Sequence, residues 1–260
     1  MPHRAARLLG LTLLFALAGP ATAADPDAAL AALPEARRGV VAEIQDGATL
    51  QLEDGTGIRL AGIEPVLAAP GGNPHWEEAA RRLLASLVKD RVVVLRGAAA
   101  TPDRYDRQIG ELVRDDGLWI QAALVEAGAV RVQPPLPAEL AAALLDREAE
   151  ARRKRLGLWQ SPLYAVRNAA QLEHEGGSYV IVEARVDRVE NRHGVLWLEL
   201  GDDTAARLDR PAHQLFTAAK CDPMGFAGQS LRLRGWVRWQ GHPVLELTAP
   251  EAVEKLEPHP

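Results

Sequence analysis

The chain has 260 residues, 47% of them hydrophobic and 25% charged, with a formal charge of -5 at pH 7. This is an ordinary globular composition, and the length suits one large or two small domains. The acidic balance excludes strong nonspecific attraction to nucleic acid over the whole surface, because cationic groups supply most of that affinity. The only cysteine, Cys221, excludes an internal disulfide.

The N-terminal residues 1–23 have the pattern of a secretory signal. Arg4 and Arg7 precede an apolar run over 8–18, and Ala21-Thr22-Ala23 offers a small-x-small cleavage site. The alternative is a membrane anchor, but the run is shorter than the roughly 20 apolar residues that span a bilayer. We therefore expect a periplasmic or secreted protein with no membrane span once the signal is removed.

Residues 24–38 are rich in Ala and Pro, and we interpret them as a leader linker that is helical in part at most. Alternating apolar runs over 39–44, 49–52 and 58–63, the last two flanking an Asp54-Gly55 turn, predict a three-stranded meander. Apolar spacing then predicts an amphipathic helix from Pro74 to Val88. Further strands are predicted over 91–95 and 109–113, and further helices over 118–126 and 138–155.

The sequence pattern changes near Gly176-Gly177. Short strand-like runs over 179–189, 195–200, 230–239 and 244–247 are separated by glycine turns, which predicts a small antiparallel barrel or sandwich. The predicted organisation is therefore a first domain over 39–164, a linker over 165–176 and a second β domain over 177–257.

Five motifs occur in one order in the first domain. They are IQDGAT at 44–49, IRLAGIE at 58–64, DRYDR at 103–107, LVEAG at 124–128, and EAEAR at 148–152 followed by GLW at 157–159. Together they resemble the staphylococcal nuclease (thermonuclease) family over about half of the chain. The resemblance implies a β-rich α+β fold, an OB-type five-stranded barrel with three helices, followed here by the second small β-barrel.

The resemblance also implies calcium-dependent phosphodiester cleavage. It places Arg59 and Arg107 as the two phosphate-binding arginines of the catalytic site and Arg104 as a neighbouring substrate contact. Arginine suits this task because its planar fork matches phosphate oxygens. The family's second calcium ligand falls on Glu64, and Asp46 is a further candidate metal ligand. The alternatives are structural ion pairs for the arginines, with Glu64 or Asp106, and a turn-stabilising role for Asp46.

Three departures weaken the implied activity. Ala48 stands where the resemblance expects a calcium carboxylate, and Leu67 stands where it expects the catalytic glutamate. Loss of a general base costs about 10²- to 10⁴-fold in rate. The expected stacking tyrosines are replaced by Gln133-Pro134-Pro135, which removes a platform for bases.

The second domain resembles, more loosely, the OB-fold-like extension that follows nuclease domains in some exported bacterial members. Strand alternation places Arg232, Arg234, Trp236 and Arg238 on one face of the strand over 230–239. A basic face with an aromatic ring suits single-stranded nucleic acid, so Arg234 and Trp236 are candidate substrate-binding residues. The alternative is an edge strand whose arginines are only solvated.

The resulting hypothesis is an exported, catalytically impaired thermonuclease-like protein. It would bind nucleic acid or another anionic ligand, or act as a scaffold for a protein partner in the cell envelope. The alternative is an active calcium-dependent endonuclease that cleaves DNA or RNA with Glu64 and Asp46 as ligands. No cofactor is expected in the first case, and calcium in the second.

Overall fold

The computed structural model describes residues 25–66, 74–173, 175–201 and 203–256. The predicted signal over 1–23 and Leu67 lie outside the described residues. The helices are α1 Pro26–Ala32, α2 Pro74–Val88, α3 Ile120–Glu126, α4 Ala138–Arg153 and α5 Arg210–Ala218. The strands of the first part are β1 Glu35–Asp46, β2 Thr49–Leu52, β3 Gly57–Leu60, β4 Ile63–Pro65, β5 Val92–Arg96, β6 Gln108–Arg114 and β7 Val130–Val132. Those of the second part are β8 Arg167–Asn168, β9 Tyr179–Arg185, β10 Arg188–Arg192, β11 Val195–Glu199, β12 Ala205–Leu208, β13 Ser230–Trp239, β14 Pro243–Glu246 and β15 Val253–Lys255.

The first part is a closed five-stranded barrel in the order β1-β2-β3-β6-β5. Strand β1 closes it by pairing with β2 through its second half and with β5 through its first half. Leu50, Ile58, Leu95 and Leu112 are fully buried in the core, as the alternation of apolar residues predicts. The predicted α+β fold with an OB-type barrel is therefore confirmed for this part of the chain.

The segment predicted as a leader linker is structured. Residues of α1 follow an Asp25 N-cap whose carboxylate accepts from Asp27 N, and Leu30 is buried in the core of the barrel domain. Strand β1 also begins at Glu35, four residues earlier than predicted, because residues 35–40 pair with β5. Among the described residues, no helix is both long and apolar enough to cross a membrane.

The second part is a single eight-stranded sheet in the order β10-β11-β12-β14-β13-β9-β8, with β15 paired to β13. The predicted second closed barrel is thus not confirmed. The single strand predicted over 179–189 is interrupted at Val186 and Asp187 and forms two strands, β9 and β10. These lie towards opposite ends of the sheet. Helix α5 was not predicted, although Asp209 caps it and Ala212 and Phe216 bury its inner face.

The two parts share a strand order that the sequence did not reveal. In each, a three-stranded meander is followed by a helix, and its third strand pairs in parallel with the last strand of the following hairpin. These parallel pairs are β3 with β6 and β12 with β14. The chain therefore contains two OB-like arrangements without a detectable sequence repeat.

Buried contacts join the two parts. Ile181 of β9 packs in a cluster with Ala151, Leu158 and Trp159 of the first part. The Tyr179 hydroxyl donates to Val132 O at 2.8 Å. Because these groups are buried, the orientation of the second sheet against the barrel is defined by packing and not by a linker alone.

Candidate functional site

Arg59 and Arg107, the two candidate phosphate-binding arginines, lie on neighbouring elements of the barrel. Arg59 is on β3 and is paired across the sheet with Thr49 of β2. Arg107 precedes β6, the parallel neighbour of β3, and its Nη1 donates to Thr49 Oγ1 at 3.4 Å. The parallel pairing of β3 with β6 therefore brings two sequence-distant guanidinium groups around one threonine.

Each arginine already has an acidic neighbour, but the two pairs differ in strength. Arg107 donates Nε to Asp103 Oδ2 at 2.8 Å, and the same oxygen lies 2.6 Å from its Nη2. These hydrogen bonds lower the pKa of Asp103 to about 2. Asp106 was considered as the acidic partner of Arg107, and this is wrong. The partner is Asp103, which also accepts a hydrogen bond from the backbone N of Arg107.

Arg59 is held less completely. Its Nη2 donates to Ile63 O at 3.2 Å and lies 3.9 Å from Glu64 Oε2, beyond hydrogen-bond length. Its Nη1 is buried and has no hydrogen-bond partner among the residues that the structure describes. Burial lowers the pKa of Arg59, while Glu64 and Asp46 oppose that shift. A guanidinium with an unused buried donor is a strong position for an anion.

The candidate calcium ligands do not assemble a metal site in the described residues. Asp46 uses Oδ1 to accept from Ala48 N at 2.7 Å, which is the turn-stabilising role. Glu64 is 5% exposed, and burial raises its pKa. Ala48 is fully buried in the apolar core. Within the described ranges no group of three His, Cys, Asp or Glu side chains could hold a metal ion, whereas calcium takes about 6–8 oxygen ligands.

An aromatic ring that the sequence analysis missed lies between two of the predicted arginines. Tyr105 is 62% exposed, and the guanidinium carbons of Arg104 and Arg107 lie 4.7 and 4.9 Å from its ring centroid. Arg104 also donates to the Tyr105 hydroxyl at 2.8 Å. The motif Arg104-Tyr105-Asp106-Arg107 carried that signal, since a ring flanked by two arginines suits nucleobases and phosphates.

The predicted basic face of β13 is wrong in its most important member. Arg234 is 1% exposed, and its guanidinium is bound by Glu148 Oε2 at 2.8 Å and Glu254 Oε1 at 2.6 Å. Arg232 is likewise paired, with Glu183 and Glu254. These acids come from α4, β9 and β15, so the strand pattern alone could not reveal them. Arg234 joins the two parts of the fold and does not present its charge to solvent.

Trp236, unlike Arg234, is partly exposed to solvent. It lines a cleft of about 450 Å³ between the two parts, and Arg59 lines the same cleft. Tyr179 contacts it edge-on, with ring centroids 5.7 Å apart. The structure thus brings together Arg59, Arg107, Asp46 and Glu64, and it places Trp236 across a cleft from Arg59.

The closed five-stranded barrel, with Arg59 on β3 and Arg107 before β6, defines an OB-type domain. Residues 57–161 match the family model described as Staphylococcal nuclease homologue, so the chain contains a domain of the staphylococcal nuclease family. A domain of this family indicates a nuclease-like or nucleic-acid-binding function. No curated protein matches the chain.

Proposed function

We propose that the protein is an exported, catalytically impaired member of the nuclease class that binds nucleic acid without calcium-dependent cleavage. The proposal rests on one combination of features. The chain keeps both candidate phosphate-binding arginines, but a fully buried Ala48 stands where a metal carboxylate is expected. Export rests on the pattern of residues 1–23 alone.

The binding half of the proposal rests on Arg59 and Arg107. A phosphate would bind the guanidinium group of Arg59 from the solvent side and compete with Asp103 for Arg107. Tyr105 offers an exposed ring next to the same arginines, where a base of a single strand could stack. Because the net charge is -5, a polyanion needs local cations, and Arg59, Arg104 and Arg107 supply three of them here.

The proposed loss of catalysis rests on the surroundings of two carboxylates, Asp46 and Glu64. Asp46 Oδ1 accepts the hydrogen bond of its turn, and Glu64 is 5% exposed beside Arg59. Little carboxylate surface is therefore open to calcium or to an attacking water. An attacking water lacks a base among these groups, and a bound phosphodiester would remain intact.

Fluorescence anisotropy with a labelled single-stranded oligonucleotide tests the binding. We expect Arg107→Gln to weaken binding about tenfold or more at low salt, since it removes charge-assisted hydrogen bonds. Arg114→Gln is the matched control, because Arg114 has a 21% exposed side chain beside 23% for Arg107 and is also paired at 2.6 Å to a nearby aspartate. Equal effects of the two variants, or no binding by the natural protein, would contradict the proposal.

A nuclease assay with and without calcium tests the impairment. We expect no calcium-stimulated cutting by the natural protein, and a gain of it in the double variant Ala48→Asp, Leu67→Glu. Ala48→Asn with Leu67→Gln is the isosteric control that supplies no carboxylate. Because Ala48 is fully buried, the melting temperature of each variant is measured first. Chelator-sensitive cutting by the natural protein would refute the impairment and favour Glu64 with Asp46 as calcium ligands.

A further inference from the structure

The cleft between the two parts combines a cation, an aromatic ring and polar groups. Arg59 and Gln133 line it from the barrel domain; Tyr179, Trp236 and Glu246 line it from the second sheet, and Thr248 from the segment after β14. Its volume is about 450 Å³, within the roughly 300–1,000 Å³ of small-ligand sites. That space suits one nucleotide and not a duplex.

The second sheet positions the ring of Trp236. Its cross-strand neighbours are Tyr179 on β9 and Glu246 on β14, and neighbouring residues in register point to the same face. Tyr179 is fixed by its hydroxyl bond to Val132 O, and Arg131 donates to the Tyr179 carbonyl. The edge-on contact with Tyr179 therefore holds the Trp236 ring in one orientation, which reduces the entropy lost on binding.

The charges in the cleft restrict the ligand. Arg59 supplies a cation whose side chain is 17% exposed, whereas Arg234, which also lines the cleft, is already bound by Glu148 and Glu254. Glu246 brings a carboxylate that accepts from Arg238 Nε at 3.1 Å. An anionic chain along the whole cleft would meet Glu246 unfavourably, whereas a base beside Glu246 would offer it amino or imino donors. The cleft thus has an anion-binding end and a base-compatible wall.

We propose that this cleft binds one nucleoside monophosphate unit of a single strand, with the phosphate on Arg59 and the base against Trp236. The inference rests on the proposed function, since it names the ligand unit that the arginine site would hold. It assigns the second sheet a direct part in recognition through a ring that the barrel domain does not contain. Base stacking on an aromatic ring contributes about 1–3 kcal/mol, which corresponds to roughly 5- to 150-fold in affinity.

Calorimetric titration of the purified protein with adenosine 5'-monophosphate and with inorganic phosphate tests the site. We expect the nucleotide to bind at least about tenfold tighter than phosphate. Trp236→Leu should abolish that difference and leave phosphate binding unchanged, and Trp236→Phe should retain most of it. Trp239→Leu is the matched control, because Trp239 lies on the same strand, is 58% exposed and does not line the cleft.

A second measurement tests the proposal even if the Trp236→Leu variant does not fold. The indole N–H resonance of Trp236, assigned by its loss in Trp236→Phe, should shift with the nucleotide and not with phosphate. A nucleotide that binds no tighter than phosphate, an unchanged Trp236→Leu, or a silent resonance would overturn the inference. If Arg107→Gln still weakens oligonucleotide binding, only the stacking site fails. If the natural protein binds no oligonucleotide, the proposed function fails with it.

Discussion

Arg234 of the second sheet and Glu148 of α4 form a fully buried ion pair, with Nη1 2.8 Å from Oε2. Glu148 Oε1 also accepts from Val132 N, so the carboxylate is saturated by both parts of the fold. Replacing Arg234 by Met leaves that carboxylate buried without its cation. We expect the free energy of unfolding to fall by about 3–5 kcal/mol, measured by urea denaturation.

The double variant Arg234→Met, Glu148→Gln separates charge from packing. It removes both buried charges and keeps an acceptor for Val132 N, so most of the lost stability should return. A single Arg234→Met variant as stable as the natural protein would show that the pair contributes nothing. Arg238→Met is the control and should change stability little. Arg238 lies on the same strand, but its side chain is 65% exposed and its ion pair with Glu246 is solvated.

Glu111 predicts a pH dependence of stability. Its carboxyl is 3% exposed and accepts from Trp119 Nε1, and burial raises its pKa from 4.5 to about 7. Between these values the folded protein binds more protons than the unfolded chain, so its contribution to stability is lost as pH rises. The loss amounts to about 3 kcal/mol over that range. Glu111→Gln should remove this slope in thermal melts at pH 4.5 to 7.5, whereas the exposed Glu43→Gln should not.

Asp103 competes with any anion for Arg107. Asp103→Asn keeps an oxygen for the backbone N of Tyr105 and Arg107 but removes the ion pair, so oligonucleotide binding should tighten roughly 2- to 5-fold at low salt. Asp116→Asn changes the net charge equally and releases Arg114 in the same way. Weaker binding by Asp103→Asn would mean that the loop, and not the free cation, limits affinity.

The packing of α1 can be measured directly. Leu30 is 5% exposed in the core of the barrel domain, so Leu30→Ala should cost about 2 kcal/mol or more in unfolding free energy. Leu163 is 46% exposed, and its replacement by Ala should change stability by less than about 0.5 kcal/mol. A neutral Leu30→Ala would restore the interpretation of this segment as a linker.

The sequence predicted elements whose signal is local. Helix α2 and strands β2, β3, β5 and β6 agree with periodicity and turn residues to within a few positions. The Ala- and Pro-rich sequence allows helix α1 but does not show that it packs, because a single buried leucine, Leu30, anchors it. The sequence pattern does not predict helix α5 despite its Asp209 cap, because only Ala212 and Phe216 of its nine residues are buried.

The same distinction between local sequence signals and tertiary contacts applies to the candidate site. The motifs name Arg59 and Arg107, and the pairing of β3 with β2 and β6 places both beside Thr49; their role in binding stays a prediction. They could not locate the partners of Arg234, since Glu148 is 86 residues away along the chain and Glu254 is 20. Nor could alternation on β13 show that another domain covers that face. Burial by a distant element is a tertiary property, and a strand pattern reports only which residues share a side.

The pairing of β1 has a practical consequence for how the protein can be divided. The family match begins at residue 57, but β1 and β2 end before it and supply two of the five barrel strands. A fragment cut to the matched residues would expose both edges of the remaining β3-β6-β5 sheet, with unpaired backbone N–H and C=O groups that invite association. The region with the family's signature is therefore not an autonomous folding unit, and expression fragments need to start ahead of α1.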